Sequence, residues 1–428
     1  MLNPSATLQR PPIPAIVEQH AEESAMLRHQ RAVLVRAPHV ALRHLRRLDD
    51  RIAAHLDGLA VAGDFGAQCA QAGLARAGAG EVFAVAVGVI ESKDAAGLDK
   101  LLALAATLPE AQRGLLSAFG WVSASQLQGV VRQLLASPVP HQRAMGLGAC
   151  RLHRVDPGTV LASALADGEA GLRLEALRAA AALGRVDRLG AALALLGHED
   201  AAVARQAALA ACLLGDRAAA LQQLEALLLH EGPEDQALAL LTLLASRWER
   251  GAELVRQIAQ RSAQPQRRVI RACGWLGDTR LVPWLIELMA IDPLARLAGE
   301  SFTMITGADL AALDLERKPP ADFESGPSDR PEDDDVAMDE DDSLPWPDAE
   351  RVARWWAERA ASLPSGARCF MGASPTLAHC EQVLRDGTQR QRAVAAVQRC
   401  VLQPGTVLFP TAAPAWRQQR LLSTAGAR

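Results

Sequence analysis

The sequence predicts an all-α chain, an array of helical hairpins with a period of about 31 residues, interrupted near the C-terminus by an acidic linker. Three observations carry this reading. Half of the residues are hydrophobic, Ala and Leu dominate and Tyr is absent, a composition of helix formers with few strand formers. An apolar residue returns at Ile90, Trp121, Leu152, Leu183, Leu214, Ala245 and Leu276, each thirty-one residues from the last, and a fixed period of that size marks stacked helical units. The residue after the anchor is Gly184, Gly215 and Gly277 in three of these units, with His153 and Ser246 in two others.

Residues 1–79 read as an N-terminal helical capping segment. Val40, Leu42, Leu45, Leu48, Ile52 and Leu56 form one helical stripe, opposite a basic face of Arg43, Arg46, Arg47 and Arg51. His44 and His55 lie eleven residues apart, roughly 16 Å along a helix, too far to share a metal ion.

Residues 80–317 read as the array. Each unit is helix A, a short Gly/Asp/Arg turn, then helix B. One unit places helix A over 201–214 and helix B over 217–229; the last places them over 266–276 and 279–290. Gly after the last apolar residue supplies a left-handed C-cap, and Asp216 or Asp278 caps the next helix. Pro283 falls in the first turn of helix B, where a missing N–H costs little. Three residues before the anchor stand Ala149, Ala180, Ala211, Thr242 and Cys273, small enough for close helix approach. Arg143, Arg205 and Arg267 also fall in register. One hairpin cannot bury its apolar face, but stacked hairpins share a core. The stretch from about 80 to 315 resembles HEAT-like repeats of the short, lyase-associated kind, a resemblance that implies an α-solenoid and a protein-binding surface.

Residues 318–347 read as an acidic, Pro-rich linker, a solvated tether; the alternative is that it folds back on the basic remainder as an intramolecular competitor for an acidic ligand. Residues 322–342 hold eleven acids and one base, Arg330, which leaves 38 acids against 44 bases elsewhere. The acids lack the Gly of an EF-hand loop. Residues 348–428 read as a C-terminal helical segment. Asp348 caps a helix with Val352, Trp355 and Trp356, Cys369–Met371 is a candidate short strand, and 374–386 with the helix over 387–405 makes a further repeat-like hairpin carrying Arg390, Arg392 and Arg399.

The chemistry of the chain is less legible. Seven cysteines are scattered, with no C-x-x-C pair, which argues against a zinc site or a disulfide framework and fits a reducing cytoplasm. No signal peptide or membrane span is expected. The Gly-Asp turns are punctuation and not phosphate loops, since no P-loop motif accompanies them. Gly299-Glu300-Ser301-Phe302-Thr303 lacks the second Gly of a nucleophile elbow and has no strand before it, so Ser301 reads as structural and Glu300 as a buried-pair or helix-end residue. Cys150, Cys212 and Cys273 read as core. No catalytic, cofactor or metal site is expected.

Five phrases, RIAAHLDGL (51–59), GWLGDTRLVPWLIELM (274–289), LARLAGESFTMITGADL (294–310), LPWPDAERVARWW (344–356) and GTQRQRAVAAVQ (387–398), together resemble a bacterial family with HEAT-like repeats whose genes often neighbour those of type VI secretion spike proteins. The resemblance spans nearly the whole chain and implies a cytoplasmic accessory or effector-loading role, with a secretion spike, adaptor or effector as partner and no assigned reaction. The function expected is therefore a non-enzymatic protein-binding scaffold or adaptor. Candidate partner-binding residues are Arg271, Trp275, Arg280, Trp284, Trp355 and Trp356, aromatic and Arg side chains being the usual anchors of an interface. The alternatives are a nucleic-acid-binding repeat protein, disfavoured by the overall acidity and by the lack of a basic stripe repeating at thirty-one residues, and a lyase-like enzyme.

Overall fold

The computed structural model describes residues 11–231, 235–261, 266–321, 323 and 339–425. Every regular element among them is an α-helix or a short 3-10 turn, and no strand occurs among the described residues. The fold is all-α. It divides into two compact units that cut across the four segments expected from composition. One holds the described residues through Val35, then Arg43–Pro157 and the chain from Ala412 onward; the other holds Arg36–Leu42 and Gly158–Thr411.

The first unit contains α1 (Pro14–Leu34), most of α2 (Leu42–Val61), α3 (Gly63–Ala72), α4 (Ala79–Glu91), α5 (Ala95–Thr107), α6 (Pro109–Trp121), α7 (Val130–Ala136) and α8 (Pro140–His153). Helix α4 packs on α1, α3, α5 and α6, and α6 packs on α8. Its position explains its composition: Val82, Phe83, Ala84, Val85, Ala86, Val87, Val89 and Ile90 are all buried, so the helix is apolar all round. Gly80 allows the approach of α1, since a Cβ there would sit 2.3 Å from the Ala25 carbonyl oxygen. The stripe on α2 faces inward as its spacing predicts, with Leu45 and Ile52 fully buried.

The second unit contains α9 (Val160–Leu165), α10 (Ala170–Ala182), α11 (Leu189–Ala194), α12 (Ala201–Leu213), α13 (Ala219–Glu231), α14 (Gln236–Ala245), α15 (Trp248–Arg261), α16 (Gln266–Leu276), α17 (Val282–Leu288), α18 (Asp292–Thr306), α19 (Ala349–Arg359), α20 (Leu377–Asp386) and α21 (Gln389–Leu402). Alternate helices pack in series, α10 on α12, α12 on α14, α14 on α16 and α16 on α18. Their contact faces carry the small residues noted above: Ala180, Ala211 and Thr242 are fully buried and Cys273 nearly so. The helix ends also follow local chemistry. Asp200, Asp235 and Asp348 side chains accept from the first backbone N–H groups of α12, α14 and α19, and Asp216 accepts from Ala218 and Ala220. Ser246 departs from the Gly pattern. Its backbone is extended and its hydroxyl donates to the Thr242 carbonyl at 2.8 Å, which closes α14 without a left-handed residue.

The turn glycines have a second role that periodicity does not reveal. Gly184, Gly215, Gly277 and Gly307 all have positive φ, and each faces a C-terminal segment of the chain. A Cβ on Gly184 would lie 2.3 Å from the Gly405 carbonyl oxygen, and one on Gly277 would lie 2.2 Å from that of Cys369. Two straps therefore run along the row of turns. Cys369 N donates to Gly277 O, Met371 N to Met304 O and Gly372 N to Ile305 O; farther back, Leu408 N donates to Ala182 O. Helix carbonyls left without partners at the ends of α10, α16 and α18 are satisfied this way. Cys369–Met371 is thus not a strand of a sheet: its backbone is spent on helix ends, with one isolated bridge between Phe370 and Ala373. Between the straps, α20 and α21 form the antiparallel hairpin expected there, and α21 packs on α12 and α14.

The chain then enters α22 (Ala415–Ala425), which belongs to the first unit. The Arg31–Asp49 ion pair, 2.5 Å apart and buried, receives it. Arg31 donates to the carbonyls of Ala412 and Ala413, both at 2.9 Å, and the Ala415 N–H donates to Asp49 at 2.6 Å. These bonds are what make a buried pair tolerable. Trp416 and Phe83 each meet Trp121 edge-to-face, and Arg417 donates to the carbonyls of Gly120 and Val122 at the end of α6.

Candidate functional site

The densest charge cluster among the described residues lies in the second unit. Arg267 and Arg271 are four residues apart on α16 and so share a face. Arg296 and Glu300 repeat that spacing on α18. The two helices meet closely because Gly274 opposes Ser301: a Cβ on Gly274 would lie 3.1 Å from the serine. Ser301 Oγ donates to the Ile270 carbonyl at 2.8 Å and is buried. It is a pin between helices, and its hydroxyl is committed. Arg390, at the start of α21, reaches the same place from a helix fixed by the reciprocal Thr388–Gln391 capping box.

Onto these arginines folds the end of the acidic segment. Asp341 is 2.7 Å from Arg267, and Asp339 is 2.6 Å from Arg296. Arg296 also donates to the Asp341 carbonyl at 3.0 Å, and Arg390 to the Glu340 carbonyl at 3.2 Å. Arg390 pairs with Glu300 at 2.8 Å. Past the acids, Ser343 is left-handed at φ 64°, and Trp346 is buried with Arg296 stacked over its ring, 4.7 Å from the centroid. Arg296 lies at the same distance over Phe323, a geometry in which the ring faces attract the cation. The tether expected over 318–347 is therefore corrected at its end. Residues 339–347 are packed, because three guanidiniums offer the carboxylates more than water does and a fourth, Arg390, binds the backbone. Residues 324–338, which hold most of the remaining acids, lie outside the described residues.

The electrostatics are uneven. Burial works against the charge of Arg267, but its bond to Asp341 and the neighbouring Glu340 and Asp339 outweigh that and hold its pKa above the ordinary value. Burial lowers the pKa of Arg271, with Arg390 adding to the effect and Glu300 opposing it. The closest acid partner of Arg271 is Glu340 at 3.9 Å, whose own side chain is 72% exposed, and Arg271 Nε has no hydrogen-bond partner. Burial raises the pKa of Glu300, although Arg390 and Arg271 oppose it.

The six residues singled out from sequence do not converge on one site. Arg271 belongs to this cluster, and Trp275 is half-buried one turn further along α16. Arg280 is exposed, forked on Asp278 and stacked 4.3 Å over Trp248. Trp284 is half-buried on α17. Trp355 packs edge-on against Phe302, so one tryptophan of the pair serves packing, and Trp356 beside it is half-buried. Sequence reasoning missed Arg296, Arg390, Asp341 and Trp346 as members of a site. The signal at hand was the i, i+4 spacing of 267/271 and 296/300.

In the first unit His55, placed correctly far from His44, instead meets His20: their Nδ1 atoms are 3.0 Å apart. Burial, then the His20 charge, lowers the His55 pKa. Cys150 is pushed up to about 11, Cys212 and Cys273 to about 12, by burial. These are thiols at neutral pH, poor nucleophiles and poor ligands. Among the described residues no three His, Cys, Asp or Glu side chains are grouped to hold a metal ion, and no helix is long and apolar enough to cross a membrane. The chain matches no family model, no curated protein and no solved structure.

Proposed function

We propose that the protein is a non-enzymatic scaffold, a HEAT-like solenoid of helical hairpins that binds an extended segment of a protein partner. The observation that supports this most is the way the second unit holds extended chain. Two straps of its own C-terminal region dock on successive turns through backbone hydrogen bonds, and a third non-helical segment, 339–347, which turns at 340–343, docks through Arg–carboxylate pairs and a buried Trp. Arrays of this kind recognise segments by backbone and charge without a reaction centre. The resemblance of the five sequence phrases to a bacterial family encoded beside type VI secretion genes supports a partner among spike proteins, adaptors or effectors, loaded in the cytoplasm.

The test is affinity capture of the tagged full chain from its own cells, with cross-linking, read by mass spectrometry. Cross-links between the second unit and a secretion spike, adaptor or effector are the expected result. Recovery of nucleic acid, or turnover of a small molecule by a protein that captures nothing, would defeat the reading.

A further inference from the structure

We infer that the cluster of Arg267, Arg271, Arg296 and Arg390 is a binding site for an acidic peptide that carries a tryptophan, and that residues 339–346 of the chain are its built-in, displaceable occupant. This deepens the scaffold reading and rests on it.

Three features point to a recognition site and not merely a fold-stabilising contact. The site reads a pattern. The carboxylates of Asp339, Glu340 and Asp341 are met by three guanidiniums, those of Arg267, Arg271 and Arg296, while Arg390 donates to the Glu340 backbone carbonyl; Trp346, five residues beyond Asp341, is met by the face of Arg296. Arginine is suited to this because its planar fork takes a carboxylate edge-on and an aromatic ring face-on.

The site is also under-filled. Arg271 has a buried Nε with no partner, and its contact with the exposed Glu340 is 3.9 Å. The cis segment leaves donors on that arginine that a better-fitting carboxylate would take. With the segment removed, four arginines would face only Glu300, a surplus of positive charge in a half-buried place that requires an anion.

The occupant, finally, is held at a cost. Ser343, between the acids and the Trp, sits at φ 64°, a region that L-residues other than Asn and Asp rarely adopt. A segment supplied by another protein, free of the tether, need not carry that strain. The cis segment enjoys a high effective concentration, so in the intact chain it competes with any such ligand and sets a threshold for binding. The ligand chemistry follows from the occupant: carboxylates from Asp or Glu, then an indole.

The test uses the full chain in two forms, the native sequence and a variant with Asp339→Asn, Glu340→Gln and Asp341→Asn, which preserves shape and removes charge. The probe is a fluorescent peptide with the sequence of residues 339–346, DEDDSLPW, read by anisotropy at about 50 mM salt, where charge pairing is weakly screened. The expected result is saturable binding to the neutralised chain, at least about tenfold weaker binding to the native chain, and loss of binding when Arg271→Gln is added to the neutralised chain. Circular dichroism and thermal melting verify that each variant is folded. The inference is overturned if the folded neutralised chain does not bind, if the native chain binds equally well, or if Arg271→Gln changes nothing. It is also overturned if a peptide with Trp replaced by Ala binds as tightly, or if an oligonucleotide displaces the peptide at lower concentration, since either outcome means a generic anion site. No partner protein enters this measurement, so its failure is distinct from failure of the capture experiment.

Discussion

Replacing Arg368 by Met should destabilise the second unit by about 3 kcal/mol. The guanidinium donates to the carbonyls of Leu243 at 2.6 Å and Leu244 at 2.7 Å, at the end of α14, and to that of Leu276 at 3.1 Å, at the end of α16. Hydrogen bonds to a charged group are worth roughly 1.5–3 kcal/mol each, so three supply roughly 4–9 kcal/mol. Burial opposes them: it pulls the Arg368 pKa from 12.5 to about 10. That fall corresponds to about 3 kcal/mol, an upper figure because the residue as a whole is only partly buried. Roughly 1–6 kcal/mol remains, centred near 3. Met keeps the packing of the aliphatic stem, so the difference reports the guanidinium and not a cavity. Hydrogen exchange of the full chain is the assay, because it resolves the two units separately. Protection in α14 and α16 should fall by about a hundredfold, while α4 and α6 are unchanged. The reasoning is refuted if protection in α14 and α16 stays within about twofold of the native chain. It is equally refuted if Arg368→Lys, which keeps the charge but not the fork, behaves as native.

Three other outcomes are expected. Asp49→Ala leaves Arg31 buried and unpaired and frees the Ala415 N–H, so it should cost about 3–5 kcal/mol and expose the chain after Ala412 to protease; resistance equal to the native chain would contradict the account. Gly277→Ala combines a φ of 71° with a Cβ 2.2 Å from the Cys369 carbonyl oxygen and should lower the melting temperature, whereas Gly190→Ala, with open space around it, should be neutral or raise it; equal effects would sink the strap argument. The third concerns pH. His55, His141 and His153 all have pKa values below 6.5, burial being the first cause in each, with His20 adding at His55 and Arg417 at His153. The native state binds fewer protons than the unfolded one, so the stability these neutral rings contribute is full above about pH 6.5 and is lost as pH falls through that value. All three lie in the first unit, whose urea midpoint should drop on acidification; a flat or rising midpoint is the contrary result.

What the sequence made legible was local and periodic. Gly215 followed by Asp216 specifies a left-handed stop and a cap from two neighbouring residues, and both form as read. The ranges expected for α12, α13 and α16 agree with the structure within two residues, because each boundary is set by chemistry within one turn of it. What stayed hidden was long-range. Nothing near Gly277 announces that residue 369 will dock on it, some ninety positions later. Asp341 and Asp342 are indistinguishable in an acidic run, yet one is 2% exposed and the other exposed; only the arrival of Arg267 and Arg296 separates them. In the sequence Arg390 is one of three arginines on its helix, with Arg392 and Arg399, and its pairing with Glu300 depends on how α21 is placed by the straps. Composition favours solvation for an acid-rich segment and cannot see a complementary cluster assembled from three distant helices.

The straps also act as a ruler. Between Gly277 and Gly307 the helical chain spends thirty residues, while the strap passes from Cys369 to Met371, left-handed at φ 49°, in two residues that can span at most roughly 7 Å, near the 8–10 Å between packed helices. Helical arrays commonly gain or lose a unit by duplication, since each unit meets only its neighbours. Here a hairpin inserted between Gly277 and Gly307 would carry Gly307 away from Met371 unless the strap between Cys369 and Met371 lengthened as well. The spacing of these two turns is thereby tied to the length of a segment encoded far from them. Two changes would have to occur together for that spacing to widen.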